Sequence, residues 1–429
     1  MAAIKKFYEP RQDNQDETFV LVGITPPDKS SQATDESLDE LERLTISANG
    51  KVLDKINVKI KKFSSAYLIN KAKIEEIATT AKAFEATGII FDDEISPAQQ
   101  RNIETLSGLK ILERTQLILD IFALHAKTLE GKYQVELAQM NYLLPRLTGH
   151  GIMLSRLAGG IGTRGPGESK LESDRRNIRT HILTLERRIE KIKKQRQTKR
   201  KKRLDSDQTT IAIIGYTNAG KSTLLNQITG ADTYVADKLF ATLDPKMQKS
   251  NLPNGQKIIF SDTVGFINKL PHKLVAAFQA TLEETKYADI IIILVDASSS
   301  QYQTQLDATY QILKELEIED KPQLLIWNKI DAVDDKSQIE FLLQYKKPSI
   351  AISAKNNIGI DRMIYELQKM ITSRRSLLKL KLPYNQYDLL ASLHKHAKVI
   401  KCVYDDDGIF ADAYVPSEFL NTFQPYIIA

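Results

Sequence analysis

The chain holds a single cysteine, Cys402, among 429 residues. One thiol permits neither an internal disulfide nor a cysteine zinc cluster, which suits a reducing cytosol. The six histidines are scattered, and His125 and His181, on helical patterns, are expected to be structural rather than catalytic. No apolar run approaches the ~20 residues needed to cross a bilayer, and no signal peptide is expected at the N-terminus. A cytoplasmic location follows as the expectation, with peripheral membrane contact through a basic helix left open.

What is present is a series of short polar motifs, each at the end of an apolar strand-like run. Gly215-Tyr216-Thr217-Asn218-Ala219-Gly220-Lys221-Ser222 is followed in order by Asp262-Thr263-Val264-Gly265, Asn328-Lys329-Ile330-Asp331 and Ser353-Ala354-Lys355. A Gly-x4-Gly-Lys-Ser string gains meaning only with a strand before it and a helix after it. Thr209 to Ile214 reads as a buried strand, and Ser222 to Ile228 opens a helix whose N–H groups and dipole favour phosphate. The four motifs together imply a GTP-binding domain.

Phosphoryl transfer needs charge neutralised and geometry fixed, and each motif offers one part of that. Backbone N–H groups from Asn218 to Ser222, running on into Thr223, are expected to cradle the phosphates, with Lys221 at the β and γ oxygens. The Ser222 hydroxyl would ligate Mg²⁺, and Asp262 would hold the metal through water. The Gly265 N–H would sense the γ-phosphate. Asn328 and Asp331 offer a donor and an acceptor for the guanine edge, flanked by Lys329 and by the Ser353-Ala354-Lys355 loop, with the Ala354 N–H nearby. A threonine hydroxyl between Lys221 and Asp262 should reach the γ-phosphate and metal. Thr242 is the first choice and Thr233 the fallback, because Thr242 precedes the run Lys246 to Asn251 that pairs with the strand ending at Asp262 through an Asn254-Gly255 turn.

After Gly265 comes Phe266, where Ras-type GTPases carry a glutamine that orients water. A phenyl ring cannot do that, so hydrolysis is expected to be slow alone and to draw its catalytic group from elsewhere. Asn218 in the pattern Gly-x-x-Asn-x-Gly-Lys-Ser resembles GTPases that hold K⁺ beside the phosphates; an ordinary polar loop residue is the other reading.

Upstream, residues 170–203 carry 15 Lys or Arg against 4 Asp or Glu, a net of +11, so the rest of the +6 chain sums to −5. The basic character therefore belongs to one element and points to a polyanionic partner. Leu171, Ile178, Ile182, Leu185, Ile189 and Ile192 mark one apolar face of a long helix, for which Tyr133 to Leu147 would be the other arm of a hairpin. Between the arms, five glycines lie within Ala158 to Lys170. Without a βαβ unit they are no dinucleotide fingerprint, and a non-helical loop carrying Arg156 and Arg164 could approach RNA closely. A solvated helix face and a plain crossover are the ordinary readings.

The run GGIGTRGPGESKLESDRR, after VELAQMNYLLPRLTG and before a GTP-binding domain, resembles the HflX family of translational GTPases. The resemblance is strongest from Gln134 to about Arg176 and over the nucleotide motifs. It implies a protein that binds the large (50S) ribosomal subunit, brings the hairpin loop toward the peptidyl-transferase region and splits stalled ribosomes under stress. RNA contacts would then fall to Arg156, Arg164, Lys170, Arg175, Arg176 and Arg179, and a monomer is expected. A hydrophobic residue at the Phe266 position is usual in that family.

The length fits several modest domains. An α/β protein is expected: an N-terminal α/β domain (1–127), the basic hairpin (128–206), a P-loop GTPase domain with a doubly wound, mostly parallel sheet (207–375), and a small C-terminal α+β domain (376–429). Strands are read at Phe19 to Ile24, Val52 to Ile60, Gly88 to Phe91 and Leu109 to Leu112, a helix at Lys71 to Phe84, and a loose loop at Pro26 to Asp39. The C-terminal part reads as a helix, Gln386 to His396, and a hairpin, with a packing module as its plain interpretation. A GTPase that remodels or modifies RNA, and a nucleotide-gated scaffold that Phe266 would suit, remain the competing functions.

Overall fold

In the computed structural model, residues 17–147, 166–204, 208–230, 239–240, 247–269, 285–345, 348–373, 375–416 and 419–428 are described. Thr233, Thr242, Arg156, Arg164 and the glycines from Gly159 to Gly165 lie outside them. So does the side chain of Lys170, whose backbone is helical.

Three sheets organise these residues. The first is wholly parallel, in the order β2-β1-β3-β4, and joins β1 (Thr18–Thr25), β2 (Lys51–Lys59), β3 (Gly88–Phe91) and β4 (Lys110–Glu113). Its helices are α1 (Ser31–Ser47), α2 (Lys71–Ala83), α3 (Pro97–Ser107) and α4 (Arg114–His125). The expected loop from Pro26 to Asp39 is corrected by α1. Ser30 caps that helix by accepting the Ala33 N–H at 3.1 Å, and its buried face opens on Thr34, which accepts from Thr25 Oγ1 at 2.7 Å. A polar residue heading a buried face conceals the amphipathic pattern that would announce the helix.

Two long helices follow, α5 (Leu129–Arg146) and α6 (Pro166–Leu204). The glycine segment was expected to be non-helical as far as Lys170, whereas α6 already starts at Pro166; a proline in the first turn costs no hydrogen bond there. Ile178, Ile182 and Leu185 of the expected apolar face are buried, and Ile189 and Ile192 are half-buried. Compactness divides the chain into two units within these helices, Met1–Ala126 with Val135–Leu185, and Lys127–Gln134 with Glu186–Ala429. In the first unit His181 Nε2 meets Glu136 at 2.8 Å. In the second, Arg196 pairs with Glu130 at 2.9 Å.

The six-stranded sheet runs β10-β9-β8-β5-β7-β6. It comprises β5 (Thr209–Gly215), β6 (Met247–Asn251), β7 (Lys257–Asp262), β8 (Ile290–Asp296), β9 (Gln323–Asn328) and β10 (Ser349–Ala351). All pairs are parallel except the β6–β7 hairpin at one edge. Isoleucines and leucines of the inner strands fill one core with α7 (Lys221–Thr229) and α10 (Ile360–Ser373), between which the chain forms α8 (Tyr302–Glu315) and α9 (Lys336–Gln344). Because β5 has β7 on one side and β8 on the other, the loop after β5 opens at a point where the strand order reverses, the usual ligand position in an open α/β sheet.

The third sheet, β11-β13-β12, is antiparallel, with β11 (Arg375–Leu382), β12 (Lys398–Asp405) and β13 (Gly408–Pro416) beside helix α11 (Tyr387–His396). Strand β11 was not expected; its core positions alternate with lysines, which dilutes the apolar signal.

Candidate nucleotide-binding site

The Gly215–Ser222 loop turns back sharply between β5 and α7. Asn218 has φ 60° and is exposed, a left-handed conformation that asparagine adopts more readily than most residues. Gly220, with φ 94°, caps α7; a Cβ there would lie 2.3 Å from Asn328 Nδ2, so no side chain fits. The first N–H groups of α7, from Lys221, Ser222 and Thr223, face the loop as an anion site.

Lys221 is the electrostatic centre. Its ammonium is buried and donates to Gly215 O at 3.1 Å and Tyr216 O at 2.7 Å. Burial pushes its pKa down to about 8, and Asp262 only partly opposes the shift. A desolvated cation held by carbonyl dipoles gains most from an arriving polyanion.

Ser222 Oγ donates to Asp262 Oδ2 at 2.9 Å. A hydroxyl and a carboxylate are hard oxygen donors and fit Mg²⁺; Ser222 and Asp262 would hold that ion, and it would supply charge neutralisation at the phosphates. The third expected metal contact, Thr242, lies outside the described residues.

Gly265 presses on the loop: a Cβ there would sit 2.9 Å from Thr217 Cα and 3.0 Å from Lys221 Nζ. The next residue continues the sheet, since the Phe266 N–H donates to Gly215 O at 3.1 Å and Phe266 O accepts from the Thr217 N–H at 2.7 Å. The Phe266 ring is buried. Motif reading missed a third link, from the Asn268 N–H to Tyr216 Oη at 2.5 Å. The only signal for it was a tyrosine at the first variable position of the loop.

Asn328 is buried and joins three motifs. Its Nδ2 donates to Ala219 O at 2.8 Å, and its Oδ1 accepts the Ala354 N–H at 3.0 Å. Here, then, the Ala354 N–H expected near the base is held by Asn328. Lys329 is left-handed, with φ 62°, and its Nζ meets Asp296 at 2.7 Å. Asp331 is exposed on the single turn Ile330–Ala332. Ser353 pairs its backbone with Ile358 in both directions and its Oγ accepts the Asn356 N–H at 3.1 Å, while Lys355 is exposed. The structure thus brings Gly215 to Thr223, Asp262, Gly265, Asn328 and Ala354 into one site.

On the hairpin, Arg175 is half-buried, and Arg176 and Arg179 are exposed. At the C-terminal end of α5, Arg146 bonds Glu113 at 2.6 Å, Gln100 at 3.1 Å and Ile95 O at 3.0 Å, and stacks 3.5 Å over the Tyr142 ring. No helix among the described residues is long and apolar enough to cross a membrane.

Family models match three consecutive parts of the chain. Residues 35–123 match the N-terminal region of GTP-binding GTPases, 125–203 the GTP-binding GTPase middle region, and 210–329 a model described as 50S ribosome-binding GTPase. The GTPase HflX of Caldanaerobacter subterraneus subsp. tengcongensis is 42% identical over 413 residues, 96% of this chain and 94% of that protein. That of Escherichia coli K12 is 40% identical over 374 residues, 87% of this chain and 88% of its own. Among solved structures, a GTP-binding protein of the archaeon Sulfolobus solfataricus in complex with GDP is 27% identical, covers 83% of this chain and 99% of its own, and superposes with a TM-score of 0.44. With the P-loop, three matching family models and relatives spanning nearly the whole length, the chain belongs to the HflX family of GTPases and is a GTP-hydrolysing enzyme.

Proposed function

We propose that the protein is a GTP-driven switch that binds the 50S subunit and dissociates stalled 70S ribosomes, with hydrolysis slow alone and stimulated by the ribosome. The observation that carries this reading is Phe266. Its ring is buried and its backbone is paired with the phosphate loop, so the position after Gly265 offers nothing to orient water and a partner must complete the site. The matched 50S ribosome-binding GTPase model and the +11 segment support rRNA as that partner. Arg175, Arg176 and Arg179 are the described phosphate contacts, joined by Arg156, Arg164 and Lys170, whose side chains lie outside the described residues; such contacts give salt-sensitive affinity without sequence preference.

The hairpin (128–206) acts as a separate domain between an N-terminal α/β domain (1–127) and the GTPase domain (207–375), with 376–429 as a fourth. Thr242 completes the metal and γ-phosphate contacts, and Gly265 senses the γ-phosphate. Asp331 recognises the guanine edge. K⁺ beside Asn218 serves as a second cation, supported by that residue's exposure at the loop crest. The protein works as a cytoplasmic monomer.

Hydrolysis is to be measured alone and with 30S, 50S and 70S particles, in K⁺ and in Na⁺. Stimulation by 50S or 70S, larger in K⁺, is expected; no stimulation by any particle would shift the reading to an RNA-directed GTPase or a scaffold. Deleting Gly159 to Gly167 should cancel ribosome splitting and spare intrinsic hydrolysis. Asp331→Asn should move preference from guanine to xanthine nucleotides, and unchanged GTP affinity would remove Asp331 from base recognition.

A further inference from the structure

The two faces of the C-terminal sheet differ in chemistry. Leu378, Leu380 and Leu382 of β11 and Ile409, Ala411 and Ala413 of β13 are buried in a small core. The opposite face is open to solvent and is not simply polar. Strand pairing sets Lys379, Asp412 and Lys401 in one cross-strand row, and Lys381, Phe410 and Val403 in the next. One row beyond Asp412 on the other side, Tyr414 faces Leu377. The three lysines are exposed and the two aromatic rings half-buried. Lys381 Nζ lies 5.4 Å from the centre of the Phe410 ring.

Phe410 and Tyr414 are four residues apart on the central strand, so their rings lie about 13–14 Å apart on one face. Asp412 sits midway, with Lys379 and Lys401 opposite it on the two neighbouring strands. Aromatic bodies between ammonium groups offer flat stacking surfaces next to phosphate partners, and a carboxylate among them can accept a base amino group. The acidic turn Asp405-Asp406-Asp407 closes the Phe410 end and would repel phosphate there, giving the track a direction. A protein-docking patch would be poor in lysine at its centre, which this face is not.

We propose that this sheet face binds single-stranded RNA, stacking bases on Phe410 and Tyr414 with Lys379 and Lys401 at the phosphates, while Lys381 pairs with Asp407 at 3.9 Å. A duplex keeps its bases stacked inside and cannot use the rings. The site is separate from the basic hairpin and does not depend on the ribosomal reading.

The test uses the full-length protein and a fluorescein-labelled mixed-sequence RNA 12-mer, single-stranded or annealed to its complement, followed by anisotropy across a salt series. Lys379→Gln with Lys401→Gln should weaken single-strand binding about tenfold and lower its salt slope by roughly two charges at ~0.7 each. Duplex binding and GDP affinity should hold. Phe410→Ala with Tyr414→Ala, checked for folding by circular dichroism, should weaken single-strand binding at least as much. Replacing Arg175, Arg176 and Arg179 by Gln should do the reverse, lowering duplex binding chiefly. Single-strand affinity unchanged in the lysine variant would overturn the proposal. Loss in the aromatic variant alone would also overturn it, because the lysines would then have no part in holding the strand.

Discussion

The two parallel sheets treat buried charge in opposite ways. At the C-terminal ends of the first, Arg114 bonds Asp92 at 2.5 and 2.9 Å, Glu40 at 2.7 Å and both oxygens of Ser37 at 3.1 Å. Burial alone would lower its pKa, but the two carboxylates outweigh that and hold the guanidinium firmly charged. In the second sheet Lys221 is as deeply buried, meets two carbonyls and feels Asp262, and its pKa falls to about 8. Equivalent ends of two α/β sheets thus carry one cation whose charge is answered within the chain and one whose charge is left for a ligand to answer. Only the second is poised to bind an anion.

Breaking the satisfied network should have the largest effect. Arg114→Ala strands two buried carboxylates and should cost about 3–5 kcal/mol of N-terminal stability. Urea unfolding would read this, while GDP affinity should change less than twofold; an equal loss of both would mean the network serves nucleotide binding. Lys221→Ala should reverse the pattern, lowering GDP affinity more than about hundredfold, or ~3 kcal/mol, with ligand-free stability held or slightly raised.

The pH dependence sharpens the contrast. The folded pKa of Lys221 lies below the 10.5 of an unfolded lysine, so the ligand-free protein gains stability as pH rises from about 8 toward 10.5. Bound phosphates favour the charged form, so GDP affinity should fall up to about tenfold per unit above pH 8. Calorimetry in buffers of different ionisation enthalpy should record proton uptake on binding; a flat affinity to pH 9.5 would sink the assignment. The smallest effect concerns Asp120 on α4, pushed up to about 7 by burial, with Lys110 opposing and Glu17 adding. The folded protein holds that proton longer than the unfolded chain, so stability drops as pH climbs from about 4 to 7. Asp120→Asn should abolish that slope and raise stability at pH 8.

The nucleotide site was readable because its chemistry needs particular residues at short fixed spacings behind apolar strands, as at Lys221 and Asp262. Arg114 carries no such mark: Asp92 and Glu40 are 22 and 74 residues away, and only folding shows that they meet. The double role of Asn328 and the Tyr216 hydroxyl were hidden for the same reason. Helix α1 was missed because threonine occupies part of its buried face. The aromatic face of the C-terminal sheet depends on strand register, which no single strand displays.

The Asn328 amide also bears on how the site assembles. It ties together loops 109 and 26 residues distant along the chain, so it can close only after β5 and β9 have found their places in the sheet. Contacts of such sequence separation form late and cooperatively. The nucleotide pocket is therefore a checkpoint on completed folding: a chain with a misregistered central sheet would have no aligned loops with which to hold GTP, and would never enter the cycle.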